Sequence, residues 1–178
     1  MSKKILVISA SPRKGGNSDL LCDSLIQGAE QAGHTIEKVF LADKKISYCT
    51  GCGVCNSKQV CVQKDDMATL LDSMLAANVI VMATPIYFYA MNGQLKTFID
   101  RCCTKYTQIL NKEFYFIMTA ADAHSLSVER TMEGFRGFMD CLDGAQEKGT
   151  LYATQVWQKG DVQGTKFIDQ AYQMGKSI

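Results

Sequence analysis

Residues 4–18 have the sequence KILVISASPRKGGNS, and this stretch decides the fold. Residues 5–10 form an apolar run, which is typical of a strand buried on both faces. The polar residues that follow include Gly15 and Gly16, which let the backbone curl tightly. A helix is predicted to begin at Asn17. The stretch therefore predicts a buried strand, a glycine-containing loop and a helix in direct succession.

The loop between this strand and this helix predicts an anion-binding site. The first amides of a helix have no intrahelical acceptor, and the helix dipole adds partial positive charge there. Further donors are the side chains of Ser9, Ser11, Arg13, Lys14, Asn17 and Ser18. The loop has neither the Gly-Lys-Ser/Thr ending of a Walker loop nor a GxGxxG pattern, so a monophosphate such as that of flavin mononucleotide (FMN) fits it better. The alternative is an ordinary strand-to-helix turn whose serines cap the helix.

Length, charge and cysteine content limit the classes of protein to consider. The chain has 178 residues, which predicts a single domain over 1–178. Its formal net charge of +1 predicts neither a nucleic-acid partner nor a membrane surface, and no apolar run reaches the roughly 18 residues of a membrane span. The chain enters its first strand without a signal-peptide pattern, so we expect the eight cysteines to lie in a reducing cytoplasm.

Strand and helix patterns alternate along the chain. The predicted strands cover 5–10, 35–41, 79–83, 114–118 and 151–157, and the predicted helices about 17–32, 65–77, 93–110, 126–142 and 164–176. This alternation predicts an α/β fold with a parallel sheet between two helix layers. Five strands fit a flavodoxin-like three-layer sandwich with strand order 2-1-3-4-5, in which ligands bind outside the carboxyl ends of the strands.

Two further loops are predicted at that same edge of the sheet. The loop over 84–93 contains three aromatic residues beside a proline, which are costly to leave in solvent. A flat flavin ring offers them an apolar surface. The alternative is packing against a neighbouring subunit, and both can hold at once because aromatic-rich loops are common at interfaces. The loop over 119–122 contains small residues that would let its backbone approach a ring closely.

Two separated motifs carry a resemblance to a known family. The pattern SxSPRxxGNS over residues 9–18, followed by PxY at 85–87 and LKxFIDR at 95–101, is similar to the NADPH-dependent FMN reductase group of flavodoxin-like proteins. The resemblance implies non-covalent FMN, NAD(P)H as electron donor, and a homodimer or homotetramer. It implies a phosphate role for the first motif and a flavin-ring role for the second loop. The predicted cofactor-binding residues are Ser9, Ser11, Arg13, Asn17, Ser18, Pro85, Ile86, Tyr87, Phe88, Asn92 and Ala120.

Four cysteines are crowded into one short segment, with Cys49, Cys52, Cys55 and Cys61 in a C-x2-C-x2-C-x5-C pattern. A tight loop of this kind can present its sulfurs to a [4Fe–4S] cluster, and the spacing resembles that of iron–sulfur flavoproteins. Zinc fits less well, because zinc sites usually separate two ligand pairs by a dozen or more residues. Similar cysteine loops followed by Asp-Asp-Met also occur in FMN reductases without a known cluster. Reduced structural thiols and a redox-active pair are the remaining alternatives.

Three functions remain open from the sequence. The first is an FMN-dependent oxidoreductase that moves electrons from NAD(P)H to a small acceptor such as a quinone, a free flavin, a nitro compound or a metal ion. The second is an iron–sulfur flavoprotein that carries electrons between ferredoxin, a [4Fe–4S] cluster and FMN. The third is a redox-sensing module without turnover. No catalytic side chain is predicted, because a flavin carries the chemistry itself.

Overall fold

The computed structural model describes all 178 residues apart from the side chain of Ser125. Strands and helices alternate along the chain. The strands are β1 (Lys4–Ser9), β2 (Thr35–Phe40), β3 (Val79–Tyr87), β4 (Ala90–Met91), β5 (Glu113–Thr119) and β6 (Gln146–Ala153). The helices are α1 (Asn17–Gln31), α2 (Val54–Lys58), α3 (Met67–Ala76), α4 (Gly93–Arg101), α5 (Ser125–Met139) and α6 (Lys166–Lys176).

The parallel strands lie in the order β2-β1-β3-β5-β6. This arrangement confirms the predicted flavodoxin-like order 2-1-3-4-5 when the parallel strands alone are numbered. The sheet has six strands rather than five, because β4 pairs antiparallel with the end of β3 through Ile86↔Met91 and Tyr87↔Ala90. A two-residue strand has no periodicity, and its turn lacks the usual Asn-Gly signal, so the sequence pattern does not indicate it.

Alternate residues of the central strands pack on opposite faces of the sheet. In β1, Leu6 and Ile8 belong to one buried cluster, while Ile5 and Val7 belong to the other. The first cluster includes residues of α3, α4 and α5, and the second includes residues of α1 and α6. Burial of both faces explains why β1 has an almost continuous apolar sequence.

The predicted ends of two strands are wrong. The third strand continues to Tyr87 rather than ending at 83, because Thr84 and Pro85 still pair with β5. The last strand covers 146–153 rather than 151–157. Its first residues are polar and exposed at the edge of the sheet, which hides them from a search for apolar runs. Trp157 consequently lies in the loop after β6.

The helix predictions are correct in number except around the cysteine loop. Helix α2 was not predicted there; it is a single short turn between Gly53 and Gln59, which both have positive φ. Helix α4 ends at Arg101 rather than near 110, and two 3₁₀ turns over 102–104 and 106–108 follow it. Among the described residues, no helix combines the length and the apolar character that crossing a membrane requires.

Candidate functional site

A pocket of about 440 Å³ opens at the carboxyl ends of β1, β3, β5 and β6. It is lined by Ser11, Arg13, Gly16, Asn17, Ser18, Pro85, Ile86, Tyr87, Phe88, Tyr89, Thr119, Ala120, Ala121, Asp122, Ser127, Val156 and Trp157. The strand order reverses between β1 and β3, and ligands of such sheets bind in the crevice at this reversal. Its volume lies in the usual range for small-molecule sites.

The loop after β1 is a tight turn closed by its own backbone. The Gly16 amide donates to the Arg13 carbonyl oxygen at 2.9 Å, and the Ser11 hydroxyl donates to the same oxygen at 2.9 Å. A Cβ atom on Gly16 would lie 2.7 Å from the Ser11 hydroxyl, so only glycine fits there. No side chain caps α1 at Gly16, contrary to the alternative in which the serines are helix caps. The first amides of α1 are therefore left for another acceptor.

Asp19 holds this loop from behind the pocket. Its carboxylate accepts hydrogen bonds from the Ser9 hydroxyl at 3.0 Å and the Gly15 amide at 2.9 Å, and it lies 2.7 Å from the Lys38 ammonium. Burial alone raises the pKa of Asp19, but the bonds from Lys38 and Gly15 outweigh it and hold the pKa below its ordinary value. The sequence analysis missed this role, and the only sequence signal is an acidic residue in the first turn of a helix.

Two of the predicted phosphate-loop side chains are already engaged in tertiary contacts. The Asn17 amide group donates to the Gln158 carbonyl at 2.9 Å and accepts from the Gly160 amide at 3.1 Å. The Ser18 hydroxyl is 2.8 Å from the Thr119 hydroxyl. These bonds join the first loop to the loops after β5 and β6, so all three loops form one wall of the pocket.

Aromatic side chains form the opposite wall and the mouth. Phe88 and Tyr89 have φ values of 49° and 63°, as the two central residues of a type I′ hairpin turn require. Phe88 is fully exposed, and Trp157, which the sequence analysis did not place in the site, is 69 % exposed. The Arg130 guanidinium lies 5.5 Å from the centre of the Tyr89 ring and joins the turn to α5. A strained, exposed aromatic turn of this kind is typical of functional sites.

Most of the predicted cofactor-binding residues line this one pocket. Ser11, Arg13, Asn17, Ser18, Pro85, Ile86, Tyr87, Phe88 and Ala120 are among its lining residues. Ser9 and Asn92 lie outside the lining. Ser9 bonds to Asp19, whereas the Asn92 side chain accepts from the Leu95 amide as the N-cap of α4.

The cysteine segment lines a second, smaller cavity of about 170 Å³. Cys49, Cys52, Cys55 and Cys61 all border it, and so does Cys103, which lies within the predicted helix over 93–110. Within the part of the chain that the structure describes, no three His, Cys, Asp or Glu side chains are grouped closely enough to hold a metal ion. The four predicted cysteines thus border one cavity, as the ligands of a single cluster would have to do.

Arg101 is the structural centre of this cysteine cavity. Its side chain is 2 % exposed and donates to Asp65 at 2.7 and 3.0 Å, to the Ser47 carbonyl at 2.7 Å and to the Cys61 sulfur at 3.4 Å. Its Nε is buried without a hydrogen-bond partner. The Arg101 guanidinium lowers the pKa of Asp65, so both groups are charged. Arg101 thus fixes the end of the cysteine segment onto α4.

The sheet order and the position of the pocket define a flavodoxin-like α/β protein. Residues 3–143 match the family model for NADPH-dependent FMN reductase, so the chain belongs to that family and the resemblance is confirmed.

Individual relatives agree with this assignment. An iron–sulfur flavoprotein of Archaeoglobus fulgidus is 43 % identical over 98 residues, which are 55 % of this chain and 44 % of the relative. The putative NAD(P)H-dependent FMN-containing oxidoreductase YwqN of Bacillus subtilis is 34 % identical over 98 residues, 55 % of this chain and 51 % of the relative. The chain thus spans about half the length of these curated relatives. The azoreductase of Bacillus anthracis has the same fold, with a TM-score of 0.77 at 15 % identity over 100 % of both chains.

Proposed function

We propose that the chain binds FMN in the large pocket and works as an NAD(P)H-dependent oxidoreductase. The observation that carries the proposal is that one pocket combines an uncapped helix N-terminus with an aromatic wall. When bound, FMN would accept a hydride from NAD(P)H and pass electrons to a small acceptor such as a quinone, a free flavin, a nitro compound or a metal ion.

The residues present fit such a ligand. The amides at the start of α1 and the Arg13 side chain would hold the phosphate, because they supply donors and positive charge at one end of the pocket. The Lys159 side chain lies beside Gly15 at the outer side of this loop, because its Cε is 3.3 Å from the position that a Cβ on Gly15 would take. Pro85, Tyr87 and Ala120 would flank the ring and exclude water from its faces. Ser18 would act by keeping the loops together through Thr119.

A pair of neighbouring cations tests the phosphate assignment. Arg13 lines the pocket, whereas Lys14 pairs with Asp43 at 2.6 Å and does not line it. Loss of one charge-assisted hydrogen bond costs about 1.5–3 kcal/mol, so Arg13→Ala is expected to weaken FMN binding roughly 10- to 150-fold. Lys14→Ala is the matched control and should bind within about twofold of the unaltered chain. Quenching of FMN fluorescence on titration measures both. Equal affinities for the two variants would refute the assignment.

Turnover separates an enzyme from a redox-sensing module. We expect the FMN-loaded chain to oxidise NADPH or NADH when a quinone is supplied, with the rate followed at the absorbance of the reduced nicotinamide. If FMN binds at one per chain but neither nicotinamide is oxidised with any acceptor, the sensing function is favoured instead.

An iron–sulfur flavoprotein is the second candidate function. It is favoured by the placement of the four predicted cysteines around one cavity beside the buried Arg101 cation. Iron and acid-labile sulfide assays on chain purified without oxygen decide this point. About four irons per chain, lost in Cys52→Ser, would support a cluster.

We further propose that the chain self-associates and resides in the cytoplasm. Phe88 and Trp157 are exposed at the mouth of the pocket, and burial in a homodimer or homotetramer would remove them from water. The eight free cysteines suit a reducing compartment. Light scattering after gel filtration, on the unaltered chain and on Phe88→Ser, tests the association. An unaltered chain that elutes as a monomer would contradict the proposed self-association.

A further inference from the structure

We propose that Cys55 and Cys103 form a reversible disulfide, so that the small cavity contains a dithiol redox site. The Cys55 thiol donates to the Cys103 sulfur, and the two sulfurs are 3.8 Å apart. They belong to different elements, 48 residues apart in the chain, so only the fold brings them together. This site is separate from the FMN pocket, and the proposal does not depend on flavin binding.

The surroundings permit the two sulfurs to approach each other. A disulfide requires an S–S distance of about 2.0 Å, so the sulfurs must close from 3.8 Å. Cys55 lies on α2, which has no buried residue and is flanked by Gly53 and Gln59 in left-handed conformations. Cys103 lies in the 3₁₀ turn directly after α4. A small movement of α2 can therefore close the distance without disturbing the core.

Four of the other six cysteines are buried or bonded elsewhere. The Cys61 sulfur accepts from Arg101 at 3.4 Å, and the Cys49 sulfur accepts from a backbone amide at 3.5 Å. Cys22 and Cys102 are fully buried, and burial raises the pKa of both thiols. An added disulfide cannot reach a fully buried sulfur, so these two are poor competitors. The close approach of their two sulfurs thus selects Cys55 and Cys103 as the pair.

The oxidation is a thiol–disulfide exchange with a low-molecular-weight disulfide such as glutathione disulfide. One of the two thiolates attacks a sulfur of the added disulfide, which breaks its S–S bond and releases one glutathione thiolate. The second thiolate attacks the mixed disulfide and releases the other glutathione. Two protein thiols are oxidised to one disulfide, one glutathione disulfide is reduced to two thiols, and the two protons leave with them. The reverse reaction restores both thiols.

The test uses the full chain, treated first with an iron chelator and dithiothreitol so that all eight thiols are free. The chain is then incubated with glutathione disulfide, blocked with a maleimide and digested with trypsin. Cleavage places Cys55 in the peptide 46–58 and Cys103 in the peptide 102–105, and mass spectrometry detects their cross-link. Cys55→Ser and Cys103→Ser are the test variants. Cys141→Ser is the matched control, because it removes an exposed thiol that follows α5 and bonds only to the Gly137 carbonyl.

We expect the unaltered chain and Cys141→Ser to form the cross-link, which dithiothreitol then removes. Cys55→Ser and Cys103→Ser should lose the cross-link and carry glutathione on the remaining cysteine. The proposal is overturned if the unaltered chain forms no cross-link between these peptides. It is also overturned if the cross-link persists in Cys55→Ser, because Cys49 or Cys52 would then be the partner of Cys103. Persistence in Cys103→Ser would overturn it as well, because Cys102 would then be the partner of Cys55.

Discussion

Replacement of Asp19 by asparagine probes the support of the phosphate loop most directly. The side chain is 8 % exposed and meets three donors: the Ser9 hydroxyl, the Gly15 amide and the Lys38 ammonium. Asparagine has nearly the same shape but no charge and one fewer acceptor oxygen. Asp19→Asn therefore leaves one donor without its partner and removes the ion pair with Lys38.

The size of the effect follows from these contacts. Hydrogen bonds to a charged group contribute about 1.5–3 kcal/mol each, and asparagine keeps a part of them, so we expect a loss of about 2–4 kcal/mol in the free energy of unfolding. Asp23 provides the control, because it contacts the same Lys38 ammonium at 2.5 Å but is 50 % exposed. Exposed ion pairs contribute about 0–1 kcal/mol, so Asp23→Asn should cost no more than that.

The loss of stability in Asp19→Asn should depend on pH in a characteristic way. The pKa of Asp19 is lowered and that of Lys38 is raised in the folded chain, because burial is outweighed by their mutual contact. A carboxylate with a lowered pKa stabilises the fold above its unfolded pKa of about 4, and this contribution is lost as the pH falls through the folded value. The Lys38 contribution is complete below its unfolded pKa of about 10.4 and is lost only as the pH rises through the raised value. The difference between the unaltered chain and Asp19→Asn should thus be constant from pH 5 to 9 and shrink below pH 4.

Urea unfolding of flavin-free chain, followed by circular dichroism at pH 3, 5, 7 and 9, measures this difference. Two results would refute the reasoning. One is an equal cost for Asp19→Asn and Asp23→Asn at pH 7. The other is a cost for Asp19→Asn that is as large at pH 3 as at pH 7.

Four further substitutions are measured by the same urea assay. In Gly28→Ala, the new Cβ would lie 2.0 Å from the Tyr172 carbonyl oxygen, so α1 and α6 must separate at a cost of about 1–3 kcal/mol or more. A Cβ at position 137 would have no atom within 4 Å, so Gly137→Ala should instead stabilise α5 by about 0.5–1 kcal/mol. Arg101→Met leaves a carboxylate without its buried partner and should cost about 3–5 kcal/mol, with faster trypsin cleavage of the cysteine segment. Phe88→Gly relieves a φ of 49° at a fully exposed position and should stabilise the chain by about 1 kcal/mol. A destabilising Gly137→Ala or Phe88→Gly, or a neutral Gly28→Ala or Arg101→Met, would contradict the packing described above.

The sheet order and the pocket were predictable because they depend on local patterns. The central strands are buried on both faces and therefore appear as apolar runs, and their carboxyl ends meet at one edge in any parallel sheet. Residues from the motifs over 9–18 and 85–87 consequently line the same pocket. Strand β6 was placed wrongly because its polar first half lies at the edge of the sheet, where burial does not constrain composition.

The features that were missed depend on contacts between distant parts of the chain. Cys103 borders the cysteine cavity because α4 ends early and a 3₁₀ turn directs the chain toward α2, which no periodicity indicates. Trp157 reaches the pocket through a loop whose position is fixed by bonds to Asn17. Asp19 contacts a lysine on β2 that lies 19 residues further along the chain. Such pairings follow from the packed fold and not from a local pattern.

The amount of FMN retained after gel filtration tests the central claim most directly. The unaltered chain and Gly16→Val are each incubated with excess FMN and filtered, and the flavin is measured by absorbance. A side chain at position 16 would collide with the Ser11 hydroxyl and the Arg13 carbonyl, directly before the first residue of α1. We predict one FMN per unaltered chain, with two resolved flavin bands, and almost none on a folded Gly16→Val. An unaltered chain that elutes without flavin, or a variant that retains as much as the unaltered chain, would contradict the account.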